Sequence, residues 1–294
     1  MSVMYKHKVL PFLLLLPSML ILGLFLYYPQ VDVFLLSLHR VALLGTRKVF
    51  VGFDNYRTLF TSPEYLHSFT VTLIFVMGVV IPGLTISLGL AALANQKVRG
   101  ARLYRTALIW PYALSPAAAG TIWFFLFSPV AGLVNYFLDQ TFGIKPDWFG
   151  DKHLALLLIT ATAVWKNLGY NVIFYLAALQ NIPKELLEAA QVDGAGAFRR
   201  FWKITFPLLS PTTFFLLTMN MIYAFFETFP IVDIMTRGGP GDATNVLIYN
   251  LYRDGFRFFK TGLASAQSVV LFVFVVILTL IQFKALERRV HYGA

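Results

Sequence analysis

The chain has 294 residues, of which 58% are hydrophobic, 16% aromatic and 13% charged, with a net charge of +10 and no cysteine. Soluble domains carry about 25% charged residues, and a single soluble core could not absorb this much apolar surface, whereas lipid takes the outward faces of a polytopic membrane protein. Disulfides and thiolate metal sites are excluded. The basic excess reads as the Lys and Arg bias of cytoplasmic loops, not as nucleic-acid binding, because no loop carries a basic stripe interleaved with aromatics.

Residues 1–8 are short and basic, and Val9 to Tyr28 is apolar. The apolar run is longer than the usual signal core of about 7–15 residues and no small-x-small cleavage site follows, so it reads as a retained first span, about 9–28, ended by Pro29. Val31 to Leu44 keeps helical-period apolar positions but is short and holds Asp32, His39 and Arg40; it reads as an interfacial helix. The second span is about 67–94, with Gly78, Pro82 and Gly83 as a kink. Lys97, Arg99, Arg102 and Arg105 follow without an acid and form the strongest orientation marker. The third span is about 106–127, with Pro111 and Pro116 inside. Residues 128–152 read as a turn-rich loop whose Trp148 and Phe149 suit a membrane interface. The fourth span is about 153–179 and the fifth about 206–231. A loop over 232–262 carries the turn Gly238-Gly239-Pro240-Gly241. The sixth span is about 263–286, before a basic tail.

The predicted fold is therefore all-α: a single transmembrane domain over 1–294 with six membrane helices. Six spans put both termini on one side. The inside segments then hold Lys6, Lys8, the 97–105 cluster, Lys184, Arg199, Arg200, Lys203, Lys284, Arg288 and Arg289, so the positive-inside rule favours N-in and C-in.

A charge at the centre of a span costs about 2.5–3.5 kcal/mol. Lys166 lies near the middle of the fourth span, and Asn167, Tyr170 and Asn171 share its face. In the fifth span Asn220, Tyr223 and Glu227 share another. These faces either line an aqueous cavity or join helices through hydrogen bonds. For Lys166 the cavity is favoured, because a lysine is costly glue; its charge would suit an anionic solute. Depth counting separates Lys166 from Glu227 by roughly a third of the bilayer, so no direct ion pair is expected. There is no GxxxxGK[ST], HExxH or GxSxG, and no matched acid, base or nucleophile in the spans. Catalytic residues and metal ligands are expected to be absent.

Between the fourth and fifth spans lies a polar island, Glu188 to Pro211. Asn181 and Pro183 open a helix, Glu185 sits in its first turn, and Gly194 ends it. A second short helix is predicted from Ala197 to Ile204. Small residues at the bend let a partner approach closely, which suits a surface to be gripped.

The pattern E-A-A, three residues, G, nine residues, I-x-x-P is met by Glu188, Ala189, Ala190, Gly194, Ile204 and Pro207. It resembles the cytoplasmic coupling loop of binding-protein-dependent ABC importer permeases; Phe206, where leucine is commoner, is a mild departure. FVGFDNY (50–56) and GGP (238–240) are similar to further family motifs. WKNLGYN (165–171), the run 175–204, YAFFETFPIVD (223–233) and AQSVVL (266–271) are similar to the sn-glycerol-3-phosphate branch of the carbohydrate-uptake group. The resemblance implies a permease subunit without catalysis of its own. Loop 181–205 would couple it to an ATPase through Glu188, Ala189, Ala190, Asp193, Gly194, Ile204 and Pro207. The resemblance implies a second permease, two ATP-binding subunits that hold ATP and Mg, an external solute-binding protein and a place in the bacterial inner membrane. The implied cargo is sn-glycerol-3-phosphate or a glycerophosphodiester. The alternatives are a neutral sugar or oligosaccharide, or a stand-alone secondary transporter, which would call for inverted repeats and more intramembrane acids.

Overall fold

The computed structural model describes residues 10–41, 47–96 and 100–286. Lys6, Lys8, Leu44, Lys97, Arg99, Arg288 and Arg289 lie outside them. The described residues group into two compact units. One joins the residues up to Pro63 with Leu251–Val273, and the other joins Glu64–Asn250 with the residues from Phe274.

In the first unit, α1 (Leu10–Leu22) and α2 (Tyr28–Ser37) are linked by a wide π turn, Gly23–Tyr27, in which the Tyr28 N–H reaches back to the Gly23 carbonyl. Pro29 follows directly and does not end the helix as expected from sequence. Proline lacks an N–H and crowds the preceding turn; here a wider turn already stands in front of it. The interfacial helix expected over 31–44 is also corrected. The helix stops at Ser37 and the chain turns into β1 (His39–Val41), paired antiparallel with β2 (Lys48–Phe50) in the register His39 to Phe50. Asn55, in α3 (Asp54–Thr61), explains that ending: its buried Nδ2 donates to the carbonyls of Ser37 (2.8 Å) and His39 (3.1 Å). These carbonyls would otherwise be orphans of the helix end. The FVGFDNY run is thus a clamp on the hairpin. On the same unit's later segment, a π turn at Arg253–Arg257 precedes α15 (Thr261–Leu286). Buried Asp254 accepts from Gln267 Nε2 (2.7 Å) and meets Lys260 at 3.4 Å. Gly262 leaves room for the His39 carbonyl, into which a Cβ would run.

The second unit is built around α4 (Pro63–Ala94), α8 (Lys152–Gln180) and α12 (Ser210–Ile222). Ala91, Val172, Tyr175, Leu179, Leu209 and Leu216 form its buried cluster. α4 runs unbroken through Gly78, Pro82 and Gly83, and its end is capped by Arg105, whose Nη2 donates to the Ala94 carbonyl at 2.7 Å. α8 starts at Asp151, whose carboxylate accepts from the N–H groups of Leu154 and His153. The Leu154 N–H above all holds this exposed carboxyl below the usual carboxylate range.

The third span, expected over 106–127 with Pro111 and Pro116 inside, is interrupted near those prolines. α5 (Ala101–Ile109) gives way to a 3-10 turn, Trp110–Ala113, and α6 (Pro116–Leu126) starts anew. Leu114 and Ser115 are extended; Ser115 precedes Pro116, which drives it out of the helical region, and it then caps α6 by accepting from the Ala118 N–H. The fifth span is corrected in the same sense. α10 (Ala197–Arg200), a π turn at Phe201–Thr205 and α11 (Phe206–Leu208) meet α12 at a bend of 66°. Pro211 withholds the hydrogen bond that would carry the helix straight. A further π turn, Tyr223–Glu227, leads to α13 (Phe229–Met235). The loop expected over 128–152 holds α7 (Leu133–Phe142), and that over 232–262 holds α14 (Leu247–Tyr252). Between Leu10 and Leu286 three helices are long and apolar enough to cross a membrane among the described residues: Phe12–Ser37, Pro63–Ala94 and Thr261–Lys284. The bent pair Ala197–Leu208 and Ser210–Glu227 makes a fourth when counted as one span.

Gly169 of α8 sits against the end of α5. A Cβ there would lie 2.8 Å from the Ile109 carbonyl oxygen and 2.9 Å from its Cα. Backbone cannot swing away as a side chain can, so Gly169→Val is expected to cost about 1–3 kcal/mol by overpacking. The readout is the melting temperature of the purified assembly, and an unchanged value would show that the approach is not tight.

Candidate translocation site

Lys166 is carried to the interior by the middle of α8 and is 6% exposed. Its Nζ stands 4.9 Å from the ring centroid of Tyr112 and 5.4 Å from that of Tyr223. A desolvated cation over an aromatic face gains up to about 2 kcal/mol or more. Two rings therefore offset much of the roughly 2.5–3.5 kcal/mol that a mid-membrane lysine costs. The ammonium is held without an acid bonded to it: among the described residues no ion pair joins it to Glu227.

Both charges nevertheless line one cavity of about 260 Å³, together with Tyr112, Asn167, Tyr170, Met219 and Tyr223. They line it from α8 and from the π turn Tyr223–Glu227, which follows a 66° bend in the chain. The wide turn Tyr223–Glu227 also changes the helix phase. Asn220, before it, faces other asparagines, whereas Tyr223 and Glu227 reach the cavity. Such turns recur at functional sites.

The asparagines mainly join helices. Asn220 Oδ1 accepts from Asn167 Nδ2 (2.9 Å) and Asn171 Nδ2 (3.0 Å). Asn220 Nδ2 donates to Asn171 Oδ1 (2.7 Å) and to the Leu216 carbonyl (2.8 Å). Gly83 of α4 adjoins this knot; a Cβ there would lie 3.7 Å from Asn220 Oδ1, an ordinary contact. Asn171 and Asn220 are absent from the cavity lining, while Asn167 serves both knot and cavity. Tyr223 donates to the Ala163 carbonyl at 3.2 Å. Tyr170 lies beside Tyr112 at 5.4 Å. Tyr112 and Met219 were missed by sequence reasoning. Tyr112 carries no period-based signal because the span breaks around it, although the Trp-Pro-Tyr run inside an apolar stretch marks that break.

The residues of the loop after α8 form a separate, largely exposed group. α9 (Lys184–Val192) has no buried residue. It ends in a Schellman motif: the Ala195 N–H donates to the Ala190 carbonyl and the Gly194 N–H to that of Gln191, with Asp193 as C-cap and Gly194 at φ +78°. Glu188, Ala189, Asp193 and Gly194 are exposed and Ala190 is half-buried. Ile204 and Pro207 lie past α10, half-buried on the return to the bend. Apolar Leu186, Val192, Phe198 and Trp202 are exposed nearby.

Residues 83–292 match the family described as binding-protein-dependent transport system inner membrane component. The chain belongs to this family. It is a non-catalytic permease subunit of an ABC importer in the inner membrane, which answers the secondary-transporter alternative. It is 45% identical over 292 residues to the sn-glycerol-3-phosphate transport system permease protein UgpA of Agrobacterium fabrum, covering 99% of each chain. It is 44% identical over 288 residues to UgpA of Escherichia coli strain UTI89, covering 98% of this chain and 97% of the other. Among solved structures, the bacterial alginate ABC transporter in complex with an alginate pentasaccharide-bound periplasmic protein contains a chain of the same fold. Its TM-score is 0.86 at 23% identity, over 98% of both chains.

Proposed function

We propose that this permease forms half of the translocation pathway of an ATP-driven importer for sn-glycerol-3-phosphate or a glycerophosphodiester. The observation that carries the proposal is the Lys166 ammonium, buried between two tyrosine rings yet lining a cavity. A phosphate monoester or diester gives such a cation a counter-charge. The relatives named for sn-glycerol-3-phosphate transport support the same class.

The proposed pathway has six crossings with both termini cytoplasmic, and α5–α6 and α8 supply those beyond the most apolar helices. α8 spans 29 residues, about 43 Å at 1.5 Å each, against a hydrocarbon core of about 30 Å. The exposed α9 is then cytoplasmic. Its role is to seat in an ATP-binding subunit, with Glu188, Ala189, Ala190, Asp193 and Gly194 at the contact and Ile204 and Pro207 carrying the motion to the bend. A second permease, two such subunits holding ATP and Mg, and an external binding protein complete the assembly.

The test is uptake into vesicles by the reconstituted assembly, with a panel of phosphorylated and neutral polyols delivered by its binding protein. Uptake of sn-glycerol-3-phosphate or glycerophosphocholine, with glycerol and neutral sugars inert, is expected. A neutral sugar driving both uptake and ATP hydrolysis would sink the phosphate reading.

A further inference from the structure

We propose that the first unit holds an anionic phospholipid, of the phosphatidylglycerol type, with its phosphate on Arg40 and Arg47 and an acyl chain along the groove between α2 and α15. Two adjoining features carry this. The first is a cavity of about 560 Å³ lined by Arg40, Arg47 and Lys260 together with Val49, Phe258 and Phe259. Lys260 is already paired with the buried Asp254, which Gln267 also engages, so the cavity's uncompensated charge rests on the two arginines. Arg40 and Arg47 are exposed and have no acidic partner among the described residues. The first turn of α15 adds Gly262 and Leu263 to the wall, and a helix N-terminus presents unbonded N–H groups and positive potential to an anion.

The second feature is an apolar groove of about 480 Å³, lined by Val33 and Phe34 of α2 and by Val269, Phe272 and Val273 of α15. Leu263 borders the basic cavity and Val269 the groove, about 9 Å further along the same helix. That offset suits the step from a lipid phosphate to the upper part of its chain. A soluble phosphate would use the basic end and leave the groove unexplained, as would an acidic protein surface. The inference rests on reading α1–α2 and α15 as membrane crossings, and it is independent of which solute is carried.

The experiment is native mass spectrometry of the whole purified importer in detergent, titrated with phosphatidylglycerol or phosphatidylcholine. Retention of phosphatidylglycerol above phosphatidylcholine is expected. The R40Q/R47Q double variant alters exposed side chains and should assemble; its phosphatidylglycerol retention is expected to fall roughly 10- to 30-fold, while R40K/R47K keeps most of it. V269W fills the groove with the charges intact and is expected to expel the lipid too. Unchanged retention in R40Q/R47Q, or in V269W, overturns the proposal. So does displacement of the lipid by millimolar sn-glycerol-3-phosphate, which would assign the cations to a soluble phosphate. Loss of binding-protein-stimulated ATP hydrolysis by R40Q/R47Q in pure phosphatidylcholine vesicles, with lipid retention intact, would assign them to the binding protein. The solute panel is scored separately, so failure here leaves the cargo reading standing and failure there leaves this one standing.

Discussion

Gly194→Asp is expected to abolish uptake while the chain stays in the membrane and in its assembly. Gly194 has φ +78° and is exposed, and a Cβ there would meet nothing within 4 Å. The cost inside the chain is therefore the left-handed backbone alone, about 1–2 kcal/mol for a residue with a Cβ and less for Asp, which visits this region. That is not enough to unfold a chain whose buried contacts lie elsewhere. The new carboxylate, however, stands beside Asp193 on a face proposed to enter a partner's cleft. Placing an unpaired charge in such a contact costs a hot-spot energy of about 2 kcal/mol or more, which is at least roughly 30-fold in affinity. Gly194→Asn shares the backbone conformation without the charge and is expected to keep most uptake. The measurements are vesicle uptake and recovery of the ATP-binding subunit with the purified permease. Wild-type uptake by Gly194→Asp would remove the docking role from this position.

Lys166→Met is the second large effect. Methionine keeps the length and apolar stem and removes the charge. Binding of a phosphate-bearing solute should lose a charged hydrogen bond of about 1.5–3 kcal/mol, roughly 10- to 150-fold in apparent affinity. The same change removes a mid-membrane charge costing about 2.5–3.5 kcal/mol together with the ring contacts that offset much of it, so the melting temperature should hold. The two readouts separate the two roles left open by sequence. Structural glue predicts that stability falls; a solute contact predicts weaker uptake at equal stability. Unchanged uptake of the phosphorylated solute would end the solute-contact role. Asn220 gives the contrast: it is wholly engaged with Asn167, Asn171 and the Leu216 carbonyl, so its loss should strike stability.

Much of the helical inventory was readable as sequence because it depends on local sums. The end of α9 was placed at Gly194 because a Schellman turn demands a left-handed residue there. The boundaries that failed were set by irregular turns or by a distant side chain. Pro29 reads as a stop until the π turn before it is seen. Val31 to Leu44 has a helical period, yet Asn55 ends the helix by taking the carbonyls of Ser37 and His39. Trp110 to Ser115 is apolar enough for a span and is broken by two prolines. At the candidate site, Lys166 and its neighbours on α8 could be named from spacing, because one helix carries them. Tyr112 could not, because the irregular turn that presents it has no period.

By itself, the sequence determined that this is a membrane chain, where its long apolar segments lie, and the motif that marks it as an importer permease. Composition, hydropathy and short spacings are properties of neighbouring residues and need no fold. Only the tertiary structure decided which polar residues meet. It sent Asn171 and Asn220 to a helix-joining knot and brought Lys166, Glu227 and Tyr112 to one cavity. The physical reason is that a side chain's direction depends on the phase and bend of its helix. A π turn at Tyr223–Glu227 and a 66° bend ahead of Ser210 change both in ways that residue counting cannot follow.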